Sequence, residues 1–241
     1  MKIGLFGQGR LGRTIADIAG DAVSWQVTRE LAPTETVDVG IEVSSGSVVS
    51  DRIEWALATR TPLVIGSTGW SIPDLAERVG DRIGVLVAPN FSLTVALYAR
   101  LTRILGRFAA QDAARDPYVL EHHHARKHDA PSGTARQLAE ILLATCPRKK
   151  RFVLPQPGQP VKADELCVSS IRAGTTYSSH VVGIDAPGEV IELHHSARSA
   201  TPYAEGALSA ARWIMDKKGV HVMDEVAREL LDPLFHEGTH R

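Results

Sequence analysis

The chain has 241 residues, 44% of them hydrophobic and 23% charged, and a formal net charge of −1. That length and balance fit a globular protein of one large or two modest domains, and the near-neutral charge gives no reason to invoke nucleic acid or an anionic membrane surface. Cys146 and Cys167 lie far apart with no metal spacing around either, and no apolar run approaches the roughly 18 residues of a spanning helix, so a reduced cytoplasmic protein outside the membrane is expected.

Ile3 to Phe6 is a short apolar run, followed at once by Gly7-Gln8-Gly9-Arg10-Leu11-Gly12 and then by a helical pattern through Ala19. Strand, G-x-G-x-x-G turn and helix in that order form a dinucleotide-binding fingerprint. Its glycines permit the tight turn, the approach of the backbone to a pyrophosphate, and close helix–strand packing. The next strand, Ser24 to Val27, ends in Thr28-Arg29-Glu30. An acidic residue at this tip would favour the NAD ribose. Arg29 instead either faces a 2′-phosphate or is a surface arginine, leaving NADPH and NADH both open.

The alternation continues with strands at Val37–Val43, Pro62–Ile65 and Arg82–Val87 and helices at Val48–Ala58 and Ile72–Val79. Such a series predicts an α/β, Rossmann-like doubly wound parallel sheet with ligands at the carboxyl ends of the strands. Gly7–Gly12, Arg29, Gly66-Ser67-Thr68 and Ala88-Pro89-Asn90-Phe91 occupy those ends and are the candidate cofactor contacts.

Beyond Phe91 the pattern changes. A long helix, Val95 to Phe108, precedes a His-rich strand, a helix over Ala135–Leu143, a Pro- and Gly-containing loop over Pro147–Ala163, and strands at Leu166–Arg172, Tyr177–Ile184 and Glu189–His195. Adjacent strands joined by short turns predict a second, α+β domain with a mixed or antiparallel sheet whose open face is a candidate subunit interface. Helices at Pro202–Lys217 and around Val226–Leu231 then return to the first domain. The expected division is a dinucleotide-binding domain over 1–92 plus 202–241 and a substrate-binding and oligomerisation domain over 93–201.

His122, His123, His124, Lys127 and His128 crowd one stretch, Glu121 to Ala135, that ends in Pro131-Ser132-Gly133-Thr134. Ser132 and Thr134 can cap the following helix, and its unpaired N–H groups and positive dipole end suit an anion. A solvated histidine tract is the plain alternative. Zinc lacks the two-Cys or His-Glu-x-x-His spacing, so no metal is expected. In a strand His122 and His124 face one way and His123 the other, and His123 shares parity with Lys127 if the strand persists that far.

With the glycine turn, Gly66-Ser67-Thr68-Gly69, Ala88-Pro89-Asn90-Phe91-Ser92 and the Glu121–Ala135 stretch in order, the sequence resembles the 4-hydroxy-tetrahydrodipicolinate reductase family. Glu121, His123, His124, Lys127, Asp129, Pro131, Ser132, Gly133, Thr134 and Ala135 meet the fixed positions of its pattern E-x-H-H-x-x-K-x-D-x-P-S-G-T-A. Arg172-Ala173-Gly174 and His194 or His195 followed by Tyr203 to Ala207 look like its later landmarks. The resemblance implies a cytoplasmic NADPH- and/or NADH-dependent oxidoreductase of lysine and diaminopimelate synthesis, acting on a small dicarboxylate as a homotetramer.

By the same resemblance His123 is the proton donor or acceptor, Lys127 a second proton donor, and His124 with Gly133 and Thr134 the carboxylate site. Two departures stand out: the glycine loop is one residue shorter than G-x-x-G-R-M-G, with Leu11 at the Met position, and the arginine of Ser196–Ala200 is displaced. Another oxidoreductase of amino-acid or semialdehyde metabolism, or a non-catalytic nucleotide- or metal-binding protein, are the competing readings.

Overall fold

Residues 1–28 and 33–235 are described by the structure, a computed structural model. Arg29 lies outside the described residues. The elements in chain order are β1 (Ile3–Phe6), α1 (Arg10–Ala19), β2 (Val23–Val27), β3 (Val39–Glu42), α2 (Val49–Thr59), β4 (Leu63–Ile65), α3 (Leu75–Val79), β5 (Gly84–Val87) and α4 (Leu93–Ala110). They continue as β6 (Asp116–His123), α5 (Gly133–Thr145), β7 (Arg151–Val153), β8 (Glu165–Arg172), β9 (Ser178–Ala186), β10 (Glu189–Ala197), α6 (Thr201–Ile214), β11 (Gly219–Val222) and α7 (Met223–Leu231). The chain forms two compact units, 1–93 with 200–241 and 94–199. No helix among the described residues is long and apolar enough to cross a membrane.

In the first unit the strands are parallel, in the order β11-β5-β4-β3-β1-β2. The central strands are buried on both faces, which is why β1 reads as a continuous apolar run, whereas β3, equally buried, ends in Glu42. On one side Ile3, Leu5, Ile41, Val64 and Leu86 pack with Ile15 of α1 and with Ala204, Ala207, Ala211 and Ile214 of α6. The alanines let α6 lie close to the sheet, and each large aliphatic side chain buried there contributes about 1.5–3 kcal/mol. On the other side Phe6, Ile65 and Val85 pack with Val49 and Ile53 of α2 and Val79 of α3.

Strand β11 is not anticipated by the sequence pattern. The expected helix over Pro202–Lys217 stops at Ile214, and Gly219, with φ 88°, starts a strand that pairs in parallel with β5. Its four residues, Gly-Val-His-Val, carry too little alternation to be read as a strand.

In the second unit the order is β10-β9-β6-β8-β7. Strand β6 runs parallel to β8 and antiparallel to β9, β9 and β10 form a hairpin, and β7 adds in parallel to β8. Strand β7 falls inside the stretch expected to be a loop, because three residues following Lys149-Lys150 give no periodic signal. Alternating burial along β6 turns Val119, Glu121 and His123 toward the helices. There Val119 joins Leu166, Val168 and Val182 beneath Tyr98 and Leu105 of α4 and Leu138 and Leu142 of α5. The opposite face is left partly open at Leu120, Ile171 and Val190.

Candidate active site

In the first unit β1 ends at Phe6, and the Gly7–Gly12 turn leads into α1, whose N-cap, Gly9, supplies no side-chain cap. Gly7 sits at φ 130°, and a Cβ there would lie 2.8 Å from the Val43 carbonyl oxygen. Gly12 admits the close approach of helix to strand, since its Cβ would meet the Gly7 carbonyl at 2.2 Å. Gln26 Nε2 donates to that carbonyl at 2.8 Å and pins the turn. Around Gly9 an added Cβ would meet nothing within 4 Å. An uncapped helix terminus with open space before it is what a pyrophosphate requires, so the residues present fit a dinucleotide. Gln8, Gly9 and Arg10 are exposed and Leu11 half-buried.

The expected contacts at the other strand ends rest on a group the sequence pattern did not single out. Glu42, the last residue of β3, is fully buried. Its Oε1 accepts from Ser44 N (2.6 Å), Ser44 Oγ (2.6 Å), Ser45 N (3.2 Å) and Ser67 Oγ (2.9 Å). Arg52 of α2 approaches the other oxygen at 3.6 Å, lies over the Phe6 ring, and donates to the Thr28 carbonyl. The carboxyl group therefore ties the ends of β3 and β4 together, and Arg52 beside it reaches the ends of β1 and β2. Thr68 is exposed, Gly66 is half-buried, and Phe91 is buried under a Gly206 that leaves no room for a Cβ, which would fall 1.9 Å from the Phe91 carbonyl oxygen. Ala88 is buried, Pro89 exposed, and Asn90 accepts from Ser92 N at 2.9 Å.

In the second unit a second fully buried glutamate organises the His-rich stretch. Glu121 Oε1 accepts from Ser132 N (3.0 Å), Ser170 Oγ (2.6 Å) and Arg172 Nη2 (2.7 Å). Oε2 faces two imidazoles, His123 Nε2 at 3.2 Å and His180 Nε2 at 3.6 Å. Burial would raise the Glu121 pKa. Contacts from His180, Ser132, Ser170 and Arg172 outweigh it and hold the carboxyl well below the usual range. Ser132 also caps α5 by accepting from Ala135 N at 3.2 Å, and its hydroxyl meets His180 Nε2 at 3.1 Å. The N–H groups of Gly133 and Thr134, first in α5, have no intrahelical acceptor, and Gly133 is exposed.

His123 is buried, with Nδ1 3.2 Å from the Tyr177 carbonyl oxygen. A carbonyl can only accept, so that nitrogen carries a proton and Nε2 is the atom left to exchange one. Desolvation lowers the His123 pKa, and so do the charges of His180 and Lys127, while Glu121 and the Tyr177 carbonyl oppose the shift.

The strand does not persist to Lys127. It stops at His123, and Lys127 N bonds back to the His124 carbonyl in a turn at 3.1 Å. Shared strand parity is thus not what relates the two residues. Lys127 reaches His123 electrostatically from the turn, with Nζ held 2.7 Å from Asp129 Oδ1. His124 is half-buried with Nδ1 lacking a hydrogen-bond partner, His122 Nε2 contacts the Ala173 carbonyl at 3.0 Å, and His128 is exposed.

In the second unit His180 is the residue that sequence reasoning missed. Its one signal is a buried-strand position followed by Val181 and Val182. Glu121, His123 and His180 bring three ligand-type atoms within 4.8 Å of one another. The Arg172 guanidinium on the same carboxylate works against a cation there.

Models of dihydrodipicolinate reductase match the chain in two parts, the family's C-terminus over residues 93–227 and its N-terminus over 19–91. The 4-hydroxy-tetrahydrodipicolinate reductase of Aquifex aeolicus (strain VF5) is 37% identical over 78% of this chain and 72% of its own length. That of Zymomonas mobilis subsp. mobilis is 32% identical over 94% and 96%. The solved structure of dipicolinate-bound dihydrodipicolinate reductase from Paenisporosarcina sp. TG-14 has a similar fold, with a TM-score of 0.72, 17% identity, and coverage of 92% of this chain and 97% of that one. Matches over both parts, with relatives spanning nearly the full length, place the chain in the dihydrodipicolinate reductase family.

Proposed function

We propose that the chain reduces 4-hydroxy-tetrahydrodipicolinate to tetrahydrodipicolinate with NADPH or NADH, in lysine and diaminopimelate synthesis. The observation that carries this reading is the convergence on one buried carboxylate, Glu121, of an imidazole and a helix N-terminus. Residues 1–92 with 202–241 hold the dinucleotide and 93–201 the substrate. The nicotinamide, when bound, supplies a hydride. Gly7, Gln8, Gly9, Arg10, Leu11 and Gly12 seat the pyrophosphate at the start of α1, while Gly66–Thr68 and Ala88–Phe91 line the neighbouring strand ends. Arg29 selects for a 2′-phosphate.

The dicarboxylate is held by the Gly133 and Thr134 N–H groups and by His124. His123 donates the proton from Nε2, and Lys127 is the second donor. Desolvation lowers the His123 pKa, and a dianionic substrate alongside would act in the opposite sense by favouring the protonated ring. The partly open sheet face at Leu120, Ile171 and Val190 serves a homotetramer, which light scattering of the purified protein tests.

The activity is tested by nicotinamide absorbance with substrate generated by the upstream synthase. Substrate-dependent oxidation of NADPH or NADH supports the assignment. Oxidation with an aldehyde or oxo-acid substrate but none with the synthase product overturns it.

A further inference from the structure

The register of the second sheet sets His195 of β10 opposite His180 of β9, His180 opposite Glu121 of β6, and Glu121 opposite Ser170 of β8. These buried or half-buried polar side chains thus form a row across four strands, and His123 lies two residues beyond Glu121 on the same face. Glu121 Oε1 carries three donors from two segments, Ser132 ahead of α5 and Ser170 and Arg172 on β8, which holds the carboxylate and gives Oε2 a set direction. Oε2 lies 3.2 Å from Nε2 of His123, the nitrogen left to exchange a proton, and both atoms are buried without a hydrogen-bond partner. The His180 ring stands edge-on to the His123 ring, with centroids 5.2 Å apart and planes at 75°.

On the basis of the reductase reading above, we propose that Glu121 and His180 are positioning residues acting through His123: the carboxylate is the fixed counter-charge for a proton on Nε2, and His180 is the opposing group that keeps this proton transferable. Because Glu121 is fully buried, the pairing is stronger than it would be at a surface. The titratable and charged groups set around His123 are Glu121 on its own strand, His180 on β9 with His195 behind it on β10, Arg172 on β8, and Lys127 and Asp129 in the turn. Glu121 favours the protonated ring, while His180 and Lys127 disfavour it. The two residues therefore pull the same atom in opposite directions, which a purely structural clamp does not do.

The test compares the full-length wild type with Glu121→Gln and His180→Gln, reading kcat against pH and the titration midpoint of His123 by NMR of labelled histidine, assigned with His123→Asn. Glu121→Gln is expected to lower the midpoint and to move the alkaline limb of kcat down by about one unit, about a tenfold loss where the limb falls, with KM for NADPH unchanged. His180→Gln is expected to move both upward. Losses in kcat that are equal at every pH, with the His123 midpoint unmoved, overturn the proposal. If Glu121→Gln does not fold, the direction seen in His180→Gln decides alone. If the wild type reduces nothing, the reductase reading fails while the NMR midpoints still test the pairing.

Discussion

Among the described residues, each compact unit hides one fully buried glutamate near the end of a strand, Glu42 on β3 and Glu121 on β6. Both collect serine and backbone donors and each meets an arginine, Arg52 in one case and Arg172 in the other. The remaining neighbours differ. Around Glu42 they are hydroxyls, N–H groups and a guanidinium, none of which changes charge near neutral pH. Around Glu121 two are imidazoles. The same residue type at the same depth thus ties loops together in one unit and faces two titratable rings in the other, where the proposed role in proton exchange depends on those partners.

The largest expected effect breaks the comparison on the Glu42 side. Glu42→Ala leaves Arg52 buried without its carboxylate and should cost about 3–5 kcal/mol of stability, read by denaturant or thermal unfolding, without moving the pH profile of any remaining activity. His123→Ala should lower turnover about 100-fold or more, as loss of a general acid does, with cofactor affinity unchanged in a fluorescence titration. Unaltered turnover removes His123 from the chemistry. Lys127→Ala should reduce turnover and weaken substrate binding together by about tenfold. A change in melting temperature alone would make its pairing with Asp129 structural.

A smaller effect sharpens the contrast at acid pH. The Glu121 pKa is depressed in the fold, so its stabilisation is present above the unfolded value of about 4.3 and is lost as pH falls through the folded value. The stability difference between wild type and Glu121→Gln should therefore be constant at neutral pH and shrink below about pH 4. A difference independent of pH would refute the depressed carboxyl. Least of all, Arg29→Ala should weaken NADPH more than NADH, and equal losses would make it a bystander.

Much of the first unit was legible because buried parallel strands leave unbroken apolar runs and the glycine turn has its own signature. The His-rich stretch was legible through its spacing. Strands β7 and β11 were not, since three or four residues at a sheet edge take their conformation from the neighbour they pair with rather than from their own periodicity. Glu42 and His180 were hidden for a related reason. A lone polar residue in an apolar strand reveals its partners only when distant segments are brought together, as β3 meets Ser67 and α2, and β9 meets β6. The condition that the strand persists to Lys127 is not met, because Ala125 turns to the Gly174 carbonyl, of which the alternation of β6 gives no warning.

The way the chain threads its two units has a consequence for biosynthesis. Residues 94–199 are contiguous, whereas the first unit is completed by segments separated in sequence by that whole insertion. Its sheet lacks β11, and Ile3, Leu5 and Leu86 lack the alanine face of α6, until residues past 200 have left the ribosome. The inserted unit can thus consolidate while its host is still an unfinished sheet, and the nascent chain passes through an interval in which one half is closed and the other exposes apolar surface to chaperones.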